Sequence, residues 1–327
     1  MKRTIFLFNL IVLFFLLTSC EDKTVKYTKS IYAMDTFIQV TIYNAEEEHL
    51  KNVEQIYMDY SNACDMFISY EGNLCDLNNK RTVKANKELI EVIEYSLNIE
   101  KELNGYFNIL IGRITKIWKD ALHIGDNSSP VVIPSEELIQ SELKIMNESK
   151  VIIDGDTVTI EGDANIDLGG VAKGYATQKV EEYFKENNIT SFMINAGSSN
   201  ISLGYKNKDE QYAVGLTNLD RMSYFMKIKV DNKAVVTSSI AEQNRVVDGQ
   251  LYTHIINPLT GYCVNNYDII TIIGEKSGYL DILSTTLFSM ELDMIKDYLD
   301  GKDIEIVLVK NGEIVYSSEG IKNYAYN

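Results

Sequence analysis

The stretch Asn165-Ile166-Asp167-Leu168-Gly169-Gly170-Val171-Ala172-Lys173-Gly174-Tyr175-Ala176 gathers three glycines, a carboxylate and a lysine. After it, Ala172, Ala176, Val180, Tyr183 and Phe184 recur at helical spacing, so the stretch reads as a short strand or turn entering a helix N-terminus. Glycine lets backbone approach something bulky. First-turn N–H groups carry a partial positive charge that suits a phosphate or a carboxylate. The same glycines also suit a tight turn packed against a neighbouring element. Their spacing is not the dinucleotide pattern G-x-G-x-x-G.

Two further places carry reactive groups. His254 lies in Tyr252-Thr253-His254-Ile255-Ile256-Asn257-Pro258-Leu259-Thr260-Gly261, where a strand meets a Pro-x-Thr-Gly turn. A histidine fixed at a strand end suits general-base work, and equally suits a structural hydrogen bond. Asp281, Ser284 and Thr285 fall on one helical face inside an apolar segment. A charge there needs a partner. Either a hard cation such as Mg2+ supplies it through oxygen ligands, or Asp281 is a helix N-cap.

The elements that must position these groups follow in order. Phe37 to Tyr43 alternates as a strand. Leu50, Val53, Tyr57, Tyr60, Cys64 and Phe67 mark a long amphipathic helix, and Tyr70 to Asn78 reads as a loop. Asn86 caps a second helix, Ile109 to Trp118 is apolar, and Pro134-Ser135 opens a short helix. Asp154-Gly155, Asp248-Gly249 and Asn311-Gly312 are hairpin turns. Strands are expected around 191–195, 212–216, 224–230, 234–237, 251–256 and 269–273, with a buried helix over 279–290. Hairpins beside separate long helices give an α+β class with mixed or antiparallel sheets, not regular βαβ winding.

The chain has 327 residues, 45% hydrophobic and 24% charged, ample for a buried core. A formal net charge of −16 argues against nucleic acid, whose backbone calls for a basic face. A phosphate ligand remains compatible if a divalent cation bridges it. Cys64, Cys75 and Cys263 are scattered and suggest no zinc site. Lys2 and Arg3 precede an apolar run from Ile5 to Leu17 that reads as a secretory signal. Leu17-Thr18-Ser19-Cys20 resembles a bacterial lipobox. Residues 1–19 are then a signal peptide, Cys20 the lipidated N-terminus, 20–29 a polar tether and 30–327 the folded domain. The expected place is the extracytoplasmic face of the cell membrane, held by the lipid anchor.

Four motifs in order resemble the ApbE family, the FAD:protein FMN transferases. Asp167 to Tyr175 matches Asp-Leu-Gly-Gly-x-Ala-Lys-Gly-Tyr without a gap. Met34-Asp35-Thr36 precedes a strand as the family's Met-Gly/Asp-Thr does. Thr237-Ser238-Ser239, Asp248-Gly249 and His254 to Gly261 follow its third motif, and Leu280 to Thr285 its Ala-Asp-Ala-x-x-Thr. The resemblance implies a T-fold-like domain. It implies FAD contacts at Met34, Tyr70, Tyr106, Phe107, Asn108, Asp167, Lys173 and Ile255. It places Mg2+ on Gly170 (through its carbonyl), Asp281, Ser284 and Thr285, and the base on His254.

The implied reaction moves FMN from FAD to a Thr or Ser hydroxyl of another protein and releases AMP. The acceptor would carry an Asp-Gly-x-Thr/Ser-Gly-Ala-type motif, as subunits of Rnf-type or Na+-pumping redox complexes do. Two other readings use the same pocket: an FAD-binding lipoprotein without transfer, and a Mg2+-dependent FAD pyrophosphatase. The chain departs from the family pattern at Asn108, Ser198, Ser239, Glu242, Asn257 and Ser284.

Overall fold

The computed structural model describes residues 24–123, 131–206, 210–241 and 243–326. The expected signal peptide, Cys20 and Glu242 lie outside them. Strands β1 (Lys26–Ala33) and β2 (Thr36–Tyr43) form a hairpin with Ala33 opposite Thr36. Helices α1 (His49–Ala63) and α2 (Leu74–Lys80), strand β3 (Thr82–Lys84) and helix α3 (Lys87–Glu100) follow. Helices α4 (Gly112–Leu122) and α5 (Glu136–Glu148) lead to β4 (Lys150–Asp154) and β5 (Thr157–Glu161). Helix α6 (Ala172–Glu186) then enters β6 (Phe192–Ala196) and β7 (Asn200–Leu203). After them come β8 (Tyr212–Thr217), β9 (Tyr224–Val230), β10 (Lys233–Ser239), β11 (Asn244–Val247), β12 (Gln250–Thr253) and β13 (Ile269–Gly274). Helices α7 (Ser277–Thr286) and α8 (Leu292–Leu299) precede β14 (Glu305–Lys310) and β15 (Glu313–Ser317).

The main sheet has the order β1-β2-β6-β7-β10-β13-β14-β15, with every neighbouring pair antiparallel. Both faces are covered at its centre, which explains why β13 is buried throughout and apolar except at Thr271, whose hydroxyl pairs with that of Thr237 at 2.9 Å. Ile270 and Ile272 pack into the core shared with the helices, while Ile269 and Ile273 pack with Tyr212, Val214 and Ile228 of the β8–β9 hairpin. The expected α+β class with antiparallel sheets is the one observed.

Several boundaries differ. The ladder of β1 already starts at Lys26, so residues 26–29, expected to be part of a tether, belong to the sheet. Helix α1 ends at Ala63, which leaves Phe67 outside it. Asn73 caps α2 by accepting from the Asp76 N–H, so Asn78 is helical instead of closing a loop. Asp281 lies within α7, whose N-cap is Lys276, and the N-cap reading of that carboxylate is set aside.

The half-buried Glu181 of α6 turns one carboxylate oxygen inward. Burial pushes the Glu181 carboxyl from 4.5 up to about 7, and the hydroxyls of Ser202 and Ser277 only partly offset this. Its Oε1 is buried without a hydrogen-bond partner. The native protein therefore holds this proton to higher pH than the unfolded chain does. Stability contributed at low pH is lost as pH rises from about 4.5 to about 7. Glu181→Gln is expected to match wild type in thermal unfolding at pH 4, below both values, and to exceed it at pH 8, by about 3 kcal/mol at most. Equal unfolding temperatures at pH 8 would contradict this.

Candidate active site

The Asn165–Gly170 segment is hung between α2 and α4. The Asn78 amide donates to the Ile166 carbonyl (2.9 Å) and accepts from the Ile166 N–H (2.8 Å). Arg81, at the end of α2, donates to Asn165 Oδ1 at 2.8 Å. The Asp167 carboxylate accepts from Thr115 Oγ1 (2.7 Å) and from the Gly169 N–H (2.8 Å). The segment makes one parallel bridge, Ile111 with Asn165, and no strand.

It delivers the chain to the N-terminus of α6, where the expected anion is found. That anion is the protein's own Asp281. The Gly174 N–H donates to its Oδ2 at 2.8 Å, and the Lys173 ammonium reaches its Oδ1 at 3.2 Å. Gly174 must be glycine, because a Cβ there would lie 2.4 Å from the Asp281 Cβ and 2.7 Å from the Ser277 carbonyl. Thr285 stands one turn on, with its Oγ1 3.8 Å from where a Gly170 Cβ would be. Ser284 is different. Its hydroxyl is buried, 2.7 Å from Ser238 Oγ and donating to the Asp281 carbonyl.

The opposite wall carries His254. Its backbone N–H donates to the Gln243 carbonyl, and its Nδ1 lies 3.1 Å from the same oxygen. A carbonyl only accepts, so Nδ1 is the donor in this contact. Trp118 of α4 fixes this wall. Its indole N–H donates to the Gly261 carbonyl at 2.7 Å, and its ring stacks on Tyr252 at 5.7 Å between centroids.

Between the walls lies a cavity of about 720 Å3, within the usual size for a ligand pocket. Met34, Tyr106, Phe107, Asn108, Asp167 and Ile255, six of the eight residues expected at the flavin, line it. Gly170, Thr285 and His254 line it too. Tyr70 is exposed and outside the lining, while Lys173, Asp281 and Ser284 stand behind the surface. Met34 and Asp35 reach the cavity from a turn in which both have positive φ, 53° and 55°. Positive φ at both central residues is what a two-residue hairpin turn requires.

Sequence reasoning missed Met66, Phe67 and Lys119. Phe67 lines the cavity, with the Lys119 ammonium 4.5 Å from its ring centroid. The signal was Asp65, whose Oδ1 accepts from the Phe67 and Ile68 N–H groups in a turn that replaces helix.

Three departures from the family pattern make a turn bond through the side chain. Asn108 accepts from the Leu110 N–H, Asn257 from the Leu259 N–H and Ser239 from the Ala241 N–H. Ser198 instead takes glycine's conformation, with φ 62°.

The donor set fits a hard cation that keeps other ligands. Asp281 gives a carboxylate, Thr285 a hydroxyl and Gly170 nearby backbone. Among the described residues no group of three or more His, Cys, Asp or Glu could cage a metal. Mg2+ characteristically binds one or two carboxylates plus water and phosphate oxygens.

A family model described as "ApbE family" matches residues 34–308. The chain is similar to an FAD:protein FMN transferase of Klebsiella pneumoniae, 25% identical over 303 residues and covering 89% of this chain and 92% of that protein. A Vibrio cholerae FAD:protein FMN transferase is 24% identical, covering 73% of this chain and 70% of its own length. In fold it resembles the crystal structure of an ApbE protein from Thermotoga maritima (TM-score 0.76, 24% identity, covering 93% of this chain and 100% of that one).

The contact at Gly174 yields a direct test. Gly174→Ala should force α6 away from α7 and lower stability by about 1–3 kcal/mol, the usual range for overpacking. Urea unfolding measures it, and a midpoint equal to wild type would show that the two helices do not meet there.

Proposed function

The chain belongs to the ApbE family, and on that footing we propose that it transfers FMN from FAD to a Thr or Ser hydroxyl of an extracytoplasmic acceptor protein, with release of AMP. One observation carries the reading: His254 and the Gly170–Thr285 corner line the same cavity, together with the Tyr106-Phe107-Asn108 segment.

In this reading FAD occupies the cavity with its diphosphate toward Gly170 and Thr285. The acceptor hydroxyl attacks the phosphorus on the riboflavin side. Its proton passes to His254 Nε2 as the new P–O bond forms, and the bond to AMP breaks. The Gln243 carbonyl holds the ring and stabilises the proton on Nδ1. Mg2+ would be held by Asp281, Thr285 and the Gly170 carbonyl, and would supply charge neutralisation at the diphosphate. Asp167, fixed by Thr115 and Gly169, accepts hydrogen bonds only, so it suits an N–H or O–H donor of the nucleotide. Lipidation at Cys20 would keep the enzyme on the membrane surface beside its acceptor.

The test separates binding from transfer. His254→Ala should bind FAD as wild type does, read by flavin fluorescence quenching. Its flavin transfer to an acceptor bearing the Asp-Gly-x-Thr-Gly-Ala motif should be slower by about 10²–10⁴-fold, the usual contribution of a positioned base. In-gel flavin fluorescence reads the transfer. Transfer at the wild-type rate would take the base role from His254. AMP released by wild type without any acceptor would favour the pyrophosphatase.

A further inference from the structure

Both oxygens of the Asp281 carboxylate are engaged by the protein itself. Their partners differ in kind. Oδ2 accepts from the Gly174 N–H, which belongs to the first turn of α6 and stays while that helix stands. Oδ1 meets the Lys173 ammonium at 3.2 Å, at the end of a flexible stem. The two side chains are only 20% and 10% exposed, so this charge pair is largely removed from water. A divalent cation that takes Asp281 as a ligand must therefore contend with a cation already seated on Oδ1. Two positive charges at one poorly solvated oxygen repel strongly.

We propose that Lys173 is a resident counter-ion of Asp281, displaced when a divalent cation binds. Without the cation it spares Asp281 from standing as an uncompensated buried charge, which is costly. With the cation in place the ammonium leaves Oδ1 and becomes available to an anionic group in the adjacent cavity. The pairing makes cation binding weak in the nucleotide-free protein and stronger once an anion accepts the freed ammonium. The proposal rests on the cation reading of the site given above.

Mn2+ binding to the nucleotide-free mature chain tests it, read by electron paramagnetic resonance of free Mn2+. Lys173→Met should tighten Mn2+ binding by about tenfold or more, within the usual range of coupling between sites. Lys173→Arg, which keeps the charge, should stay within a few-fold of wild type. Lys173→Gln removes the charge while keeping a hydrogen bond to Asp281. It decides the matter if circular dichroism shows the Met variant misfolded. Affinity in the uncharged variants equal to or below wild type overturns the displacement. Asp281→Asn is the separating control. If it binds Mn2+ as wild type does, the cation lies elsewhere and the cation reading itself fails.

Discussion

The hydrogen bond from the α6 N-terminus to Asp281 is the fastening on which the site depends. It sets an acidic side chain of α7 against the positive end of α6. That satisfies a carboxylate which the apolar surroundings Leu280, Ile282 and Leu283 would otherwise penalise. It also explains the family's glycine. Close approach of the helices leaves no room for a Cβ at Gly174. Because α7 follows β13 directly, the fastening ties the helix layer to the middle of the main sheet.

The rest of the site is two walls referred to that point. One is the Asn165–Gly170 segment, whose backbone Asn78 brackets and whose Asp167 Thr115 pins. The other is the His254 turn, held through Gly261 by Trp118 of α4. Helix α4 serves both walls from one face, since Thr115 and Trp118 are three residues apart on it. The catalytic reading therefore rests on a scaffold that fixes the separation of the walls, with the reactive groups on loops between rigid elements.

The residues that line or back the cavity stood out in the sequence by type and place: a histidine at a strand end, a carboxylate in an apolar helix, a glycine run before a helix. Taken singly, each kept a structural alternative, and the four motifs in order were what drew them together. The antiparallel α+β class was legible from hairpin turns. Other features were not. Asp281 was read as an N-cap or a metal ligand, and no local signal says that Lys173 and Gly174, over a hundred residues earlier, already engage it. Ser284 shares a helical face with Asp281, yet its hydroxyl turns to Ser238 on β10, a tertiary contact that spacing cannot reveal. Phe67 continued an apolar stripe, but the Asp65 turn competed with helix and won. Tyr70 then falls in the exposed part of that loop, outside the cavity.

In the proposed reaction one cavity would hold FAD, with the divalent cation on the Asp281 side of its diphosphate. Diffraction from crystals soaked with FAD and Mn2+, collected at the manganese edge, tests it most directly. The expected result is an anomalous peak at coordination distance from an Asp281 oxygen and from Thr285 Oγ1, with flavin density against Tyr106 and Phe107. A peak away from Asp281, or flavin density outside the cavity that His254 lines, would contradict it.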